Sequence, residues 1–170
     1  PEAVLLSVPL PLTGNRDTQV RGTILRQLDR PQGHKQRGVL VLRFDEAQGD
    51  DPSASDFGRA LELARFLTSS RLSGVKTVAW LPEGIKGHAV LVALACDMIA
   101  MPPAAELGPA NVREPVVDDA MRAAYREIAA RRRTVPPTVA VAMVDPGTRV
   151  LKVATDAGAD HRKRHKRDVE

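Results

Sequence analysis

The chain has 170 residues, the size of one ordinary domain, and is long enough to bury a core. Hydrophobic residues make up 43% of it but aromatic residues only 3%, so the core must be mainly aliphatic. The chain also has few aromatic side chains on which bases or sugars could stack. Much of the positive charge behind the net +4 lies in two runs, residues 131–133 and 161–167, which argues against a broad nucleic-acid-binding face.

The single cysteine, Cys96, excludes an internal disulfide, and its place in an apolar segment predicts a packed, unreactive thiol. No stretch reaches the roughly 18 consecutive apolar residues that a membrane-spanning helix needs, and the first residues lack a secretory signal pattern. We identify no metal or cofactor motif and therefore expect no cofactor. Because the chain starts with proline and ends in a charged run, we expect it to be part of a longer protein.

Strands and helices alternate through the first half of the chain. Apolar runs that stop at turn residues predict strands at residues 3–10, 39–44 and 75–81. Apolar side chains at helical spacing predict helices at residues 18–28, with Asp17 as N-cap, and 57–70, with Asp56 as N-cap. The loop that follows the second strand lies where open α/β sheets bind their ligands.

A buried helix followed by a buried strand is predicted between residues 86 and 112. The apolar segment 89–96 has the composition of a buried helix, and residues 98–101 have the length of a core strand. Asp97 lies between them, where a short carboxylate can accept hydrogen bonds from backbone amides. Four strands alternating with three helices predict a parallel sheet with crossover connections in a layered α/β domain.

The rest of the chain is predicted to be mainly helical, with a long amphipathic helix at residues 116–133 and a short one at 138–144. Residues 150–155 indicate one arm of a terminal hairpin, and residues 156–170 a basic, disordered tail or a truncated continuation. The apolar stripe of the long helix can pack on the sheet or on a second subunit, and the sequence leaves both open; its main members are Met121, Tyr125 and Ile128.

A family resemblance rests on residues 87–108, where a glycine, an apolar helix, the letters A-C-D, an apolar strand, a proline-containing turn and L-G follow one another. This order resembles the Clp protease/crotonase superfamily, most closely its membrane-associated serine protease branch of NfeD-like and signal peptide peptidase-like proteins. The resemblance covers residues 3–155 and implies a ClpP/crotonase-like spiral of βαβ units with a mostly parallel sheet. It also implies a membrane-associated or extracytoplasmic setting.

The resemblance places Gly87 at the position of the nucleophilic serine of the peptidases, and a glycine has no side chain that can attack a substrate. The general base of the peptidases is a lysine, expected here at residues 116–119, where the chain has none; Lys86 is the lysine adjacent to the site. Asp45 and Gly49 remain from the loop that helps to form the oxyanion hole. Between them, Glu46 stands where its charge would oppose an oxyanion.

A crotonase-type enzyme instead needs glutamates, which the resemblance places around Leu91 and Ala110, and neither position is acidic. His88 is the remaining group of catalytic type, at the start of the predicted helix. Its two interpretations are a general base and a structural histidine that caps a loop or lies at a subunit contact. We favour the structural one because the spacing identifies no partner acid.

The sequence therefore predicts a catalytically degenerate Clp/crotonase-like domain that serves as a binding or assembly module. The alternative is a serine peptidase or a crotonase-type acyl-CoA enzyme with relocated catalytic groups. Expected partners are further copies of the chain or other domains of the parent protein, with membrane association through regions outside the chain and no nucleic acid. We also expect Gly87 and Gly49 to shape a concave site that repels carboxylate ligands through Glu46, Asp50 and Asp51.

Overall fold

A computed structural model describes residues 3–29, 38–46 and 50–151. Within these ranges no helix is both long and apolar enough to cross a membrane. The strands are β1 (Ala3–Leu10), β2 (Val39–Glu46), β3 (Lys76–Trp80), β4 (Gly84–Ile85), β5 (Met98–Ala100) and β6 (Glu106–Leu107). The helices are α1 (Arg16–Leu28), α2 (Phe57–Leu67), α3 (Ala89–Leu94), α4 (Asp119–Arg132) and α5 (Pro137–Val144), with a 3₁₀ turn at Ser70–Leu72.

The main sheet has four parallel strands in the order β1-β2-β3-β5, so each strand lies beside the one before it in the main sheet. This arrangement confirms the predicted α/β fold with a mostly parallel sheet. A second sheet pairs β4 with β6 in parallel. The second sheet was not predicted, because each of its strands has two residues and such short segments carry no periodic signal.

The two faces of the main sheet differ in their cover. Side chains on one face, such as Leu42 and Ala79, pack into a core shared with the helices. On the other face an apolar row crosses all four strands in register, from Leu5 through Val41 and Val78 to Met98. Leu5 is 61% exposed and Met98 45%, so the described part of the chain leaves this face open.

Two predicted helix starts need correction. Helix α1 begins at Arg16, and its N-cap Asn15 makes no side-chain capping bond, so Asp17 is not the cap. Asp17 instead accepts a hydrogen bond from Arg59 of α2 at 3.0 Å. Helix α4 begins at Asp119 rather than at residue 116, because the Asp118 carboxylate caps it by accepting a bond from the Met121 N–H at 2.8 Å. Asp56 caps α2 as predicted, accepting from the Arg59 N–H.

Two other predictions change at the ends of elements. Helix α3 ends at Leu94, so Cys96 lies beyond it, although the thiol is fully buried and burial raises its pKa to about 12. Val150 and Leu151 are not in a strand, and the remainder of the predicted hairpin arm and tail lies outside the described residues.

Helix α3 is buried along its whole length and forms the centre of the core. Tyr125 and Ile128 of α4 are fully buried in the same cluster. The part of the α4 stripe that contains Tyr125 and Ile128 therefore packs in the core of the chain, whereas Met121 is only half-buried.

Candidate functional site

A cleft of about 420 Å³ lies between the carboxyl end of β1 and the loop after β2, the loop at which a ligand site is expected from the sequence. Its walls come from the end of β1, the loop after β2, the segment around β4 and the start of β6. The lining residues are Leu10, Asp51, Pro52, Ser53, Glu83, Gly84, Ile85, Lys86, Ala104 and Glu106. The cleft therefore brings the loop after β2 next to the segment that leads into Gly87.

Gly87 has a backbone conformation and surroundings that only glycine fits. Its φ is +70°, in the left-handed region that side chains rarely adopt. A Cβ at this position would lie 2.0 Å from the carbonyl oxygen of Ser53. The Gly87 N–H donates to the Pro109 carbonyl at 2.9 Å. The space that a nucleophilic side chain would need is thus filled by the backbone of the loop after β2.

Asp51 holds that loop in place. Its carboxylate accepts hydrogen bonds from the Ser53 hydroxyl at 2.7 Å, from the Ser53 N–H at 2.9 Å and from Arg113 at 2.6 Å. The bonds from Ser53 and then Arg113 lower the pKa of Asp51 to about 2. The Ser53 hydroxyl therefore donates to a carboxylate that is a weaker base than an ordinary aspartate.

His88 is buried, with 3% of its surface exposed, and both ring nitrogens are occupied. Nδ1 lies 3.1 Å from the Tyr125 hydroxyl, and Nε2 lies 3.0 Å from a carboxylate oxygen of Glu114. Burial raises the pKa of Tyr125, so its hydroxyl keeps a proton to donate to Nδ1. For the neutral ring this assigns the proton to Nε2, which donates it to Glu114.

Glu114 is the partner acid that the sequence did not reveal. It follows His88 by 26 residues in the chain, and only the return of the loop after β6 brings it back to the start of α3. No local spacing signals such a contact. Because neither nitrogen of His88 is free and the ring is enclosed, its surroundings are those of a structural histidine.

Lys86 lines the cleft, and its Nζ lies 3.4 Å from a carboxylate oxygen of Glu106. Among the described residues, no serine forms a hydrogen bond with Lys86 or His88. Leu91 and Ala110, where the resemblance places the crotonase glutamates, are almost completely buried in the core. A carboxylate at either position would be desolvated.

The carboxylate of Asp45 accepts a hydrogen bond from Ser7 and pairs with Arg43 at 2.8 Å. It borders a smaller hollow of about 210 Å³ next to the cleft, together with Arg43 and Glu83. No hydrogen bond links it to Gly87, Lys86 or His88. Gly49, the other predicted remnant of the oxyanion loop, lies outside the described residues.

Among solved structures, the chain is similar to a mutant of 1510-N, a membrane-bound stomatin-specific protease. The match has a TM-score of 0.62 and 12% sequence identity, and it covers 85% of this chain and 70% of that chain. This chain has a protease-like fold. No protein-family model matches the sequence, and no curated protein matches it.

The similarity to the protease concerns the backbone, because at 12% identity few side chains are shared. The comparison therefore supports the predicted α/β fold with a mostly parallel sheet. The chemistry of the site therefore depends on the residues of this chain. They are Gly87, the loop that Asp51 holds, and the buried His88.

Proposed function

We propose that this protease-fold domain is catalytically degenerate and serves as a binding or assembly module. The observation that carries the proposal is the space at Gly87. The residue lacks a side chain, and the Ser53 carbonyl lies where a side chain would begin. A loss of the nucleophile by substitution alone would leave an empty space, whereas here the surrounding backbone has closed over the position.

The remaining polar groups support the same proposal. A nucleophile needs a base within hydrogen-bond reach, and the base must have a free lone pair near the substrate. His88 has both nitrogens engaged inside the core, and Lys86 faces Glu106 across the cleft. The cleft itself persists and remains accessible as a place where a ligand or a partner segment can bind.

The alternative, an enzyme with relocated groups, has one observation in its favour. Ser53 and Lys86 line the same cleft, as a serine nucleophile and its base would. The Ser53 hydroxyl, however, donates to Asp51 rather than to Lys86, and Asp51 is a weak base. The alternative therefore needs a rearrangement of the loop that contains Ser53.

A fluorophosphonate probe that labels activated serines tests the proposal. We expect no labelling of the full chain, and the same result for the Ser53→Ala variant. Labelling of the full chain that disappears in Ser53→Ala would replace the proposal with a relocated serine hydrolase. Stoichiometric labelling that persists in Ser53→Ala would also overturn it, and peptide mapping would then locate the reactive serine.

A further inference from the structure

Strand β1 is an edge strand of the main sheet, and the described part of the chain leaves its outer side unpaired. It stands at the end of the strand order, next to β2 alone. Its 8 residues make it much longer than β5, the strand at the opposite edge, which has 3. Proteins usually protect a long edge with charged side chains, bulges or a cover, because an open edge pairs with other strands. The sequence has no charged residue from position 3 to position 15, so β1 lacks this protection.

The hydrogen bonds of β2 show which residues of β1 face outward. The Lys76 N–H of β3 donates to the Gly38 carbonyl at 2.9 Å, and Lys76 lies opposite Val39. Backbone groups along β2 alternate between its two neighbours, so those of Val39 point towards β1. Val39 lies opposite Ala3 and bonds to the residues on either side of it, which leaves the backbone of Ala3 pointing away from β2. The outward-facing residues of β1 are therefore Ala3, Leu5, Ser7 and Pro9.

Pro9 agrees with this assignment. A proline has no N–H, so within a sheet it is tolerated on the unpaired side of an edge strand, and Pro9 belongs to the outward-facing set. Among the described residues, no strand or loop forms backbone hydrogen bonds with the outward groups of Ala3, Leu5 and Ser7. Leu5 lies at the middle of these three, with 61% of its surface exposed.

We infer that β1 pairs with β1 of a second copy of the chain, antiparallel and about a twofold axis at Leu5. The two four-stranded sheets then form one continuous sheet. A twofold axis perpendicular to the sheet makes the two strands antiparallel and keeps each side chain on its own face. With Leu5 opposite Leu5 of the copy, Ala3 lies opposite Ser7, and all three residues exchange both backbone bonds. The pairing ends before Pro9, which has no N–H to donate.

A second copy fits this edge because β1 complements itself. Leu5 meets Leu5 on the open face of the sheet, and Val4 meets Leu6 on the face that packs against the core, so apolar side chains lie directly opposite one another. A charged residue near the axis would meet its own copy, and β1 has none. The apolar row from Leu5 to Met98 continues across the axis into the second copy.

The pairing closes at two copies. It occupies the long edge of both sheets, and a contact related by a twofold axis leaves no equivalent surface for a third chain. The inference supplies a partner for the assembly part of the proposed function and rests on that part alone.

Light scattering over a range of concentrations tests the inference with Leu5→Lys and Met98→Lys. Both variants place a lysine in the same exposed apolar row, but Leu5 lies at the axis and Met98 on the opposite edge strand. We expect the unchanged chain to approach twice the mass of one chain. Leu5→Lys should dimerise at least about tenfold more weakly, because two lysines meet at the axis, and Met98→Lys should change dimerisation by less than about twofold. An equal mixture of Leu5→Lys and Leu5→Glu should dimerise again, because opposite charges then meet.

Hydrogen exchange of the unchanged chain, above and below the concentration at which it dimerises, tests the pairing without any substitution. We expect the Ser7 amide, which faces outward, to exchange at least about tenfold more slowly in the dimer. The Leu6 amide bonds to β2 and should be protected in both forms. A Ser7 amide that exchanges equally fast in both forms would exclude the pairing.

A monomer mass for the unchanged chain would overturn the inference, as would a mixture of Leu5→Lys and Leu5→Glu that stays monomeric. Equal losses in Leu5→Lys and Met98→Lys would overturn it by moving the interface to the open face of the sheet. A monomer with a protected Ser7 amide would show that the chain covers its own edge. Thermal unfolding of each variant separates lost pairing from lost folding. Fluorophosphonate labelling does not depend on β1, so an unlabelled monomer would refute this inference and leave the degenerate site standing.

Discussion

At the scale of single residues, a glycine and a histidine determine how the candidate site is interpreted. Gly87 stands where the family resemblance places a nucleophile, and the Ser53 carbonyl closes the space around it. His88 has the chemistry of a general base, but Tyr125 and Glu114 engage both of its nitrogens. For Gly87 the missing side chain and the neighbouring backbone both argue against catalysis, and for His88 the neighbours do.

We predict that Gly87→Ser will not create peptidase activity and will destabilise the fold. Left-handed strain alone costs of order 1–3 kcal/mol, and the contact with the Ser53 carbonyl adds to it. Gly87→Ala and Gly14→Ala separate the two effects, because Gly14 has a φ of +61° but no atom within 4 Å of an added Cβ. Denaturant unfolding should show a clearly larger loss at Gly87 than at Gly14.

Equal losses for the two alanine variants would show that the loop after β2 moves aside without cost. Peptide hydrolysis by Gly87→Ser would show that the rest of a catalytic apparatus survives, and would contradict the proposed function. Stability and hydrolysis are measured on the same preparations, so an inactive variant that is unfolded is distinguished from one that is folded and inactive.

At the scale of elements, the arrangement depends on polar contacts between the ends of helices and strands. Asp97, between α3 and β5, accepts bonds from the Thr77 N–H and hydroxyl, both at 2.8 Å, and from Arg132. The sequence predicted that Asp97 would bind loop amides at this junction, whereas the amide that it binds, that of Thr77, belongs to strand β3. Arg132 adds the carbonyls at the ends of α2 and α3, so one side chain connects three helices.

We predict that Arg132→Ala lowers the free energy of unfolding by about 2–4 kcal/mol, because it removes the side-chain donor of the Leu67 and Ala95 carbonyls and the charged partner of Asp97, which keeps only its bonds from Thr77. Its side chain is only 18% exposed, so solvent does not replace these bonds fully. Arg131→Ala is the control, since it removes an exposed pair with Glu127 within one helix and should cost less than about 0.5 kcal/mol. Denaturant titration of both variants measures the difference, and similar losses would contradict the role of Arg132.

At the scale of the whole molecule, the burial of the α4 stripe limits which of its residues can contact another copy of the chain. Tyr125 and Ile128 lie in the core, while Met121 on the same helix is only half-buried. Self-association, which the resemblance led us to expect, therefore leaves Tyr125 and Ile128 in the core of each copy of the chain. The stripe contributes to the stability of the single chain.

We predict that Ile128→Ala lowers the free energy of unfolding by about 2–5 kcal/mol, because it leaves a cavity in the core, without changing the assembly state of the protein that remains folded. Met121→Ala is the control and should cost less than about 1 kcal/mol.

Light scattering over a range of concentrations measures assembly, and we expect the mass of the unchanged chain to rise with concentration. A constant monomer mass would contradict self-association, and a loss of association in Met121→Ala would return the interface to α4.

The sequence by itself determined the main strands and helices and the class of fold. Continuous apolar runs located the main strands, and the alternation of strands and helices predicted parallel crossovers, because a helix between two strands returns the chain to the edge where the first strand began. The position of Gly87 at the start of a buried helix was also readable, since α3 is apolar along its whole length. The ends of elements were not determined in this way. Asn15, rather than Asp17, is the N-cap of α1, and the choice depends on backbone angles that composition does not fix.

Only the tertiary structure decided what surrounds these residues. The contact between Glu114 and His88, the Ser53 carbonyl against Gly87 and the joining of α2 to α4 by Arg132 all link residues more than 20 positions apart. Such contacts depend on how loops return across the sheet, and no periodicity in the sequence encodes that path. The same reason explains the stripe of α4, whose pattern is identical for a helix packed in its own core and for one packed on a neighbour.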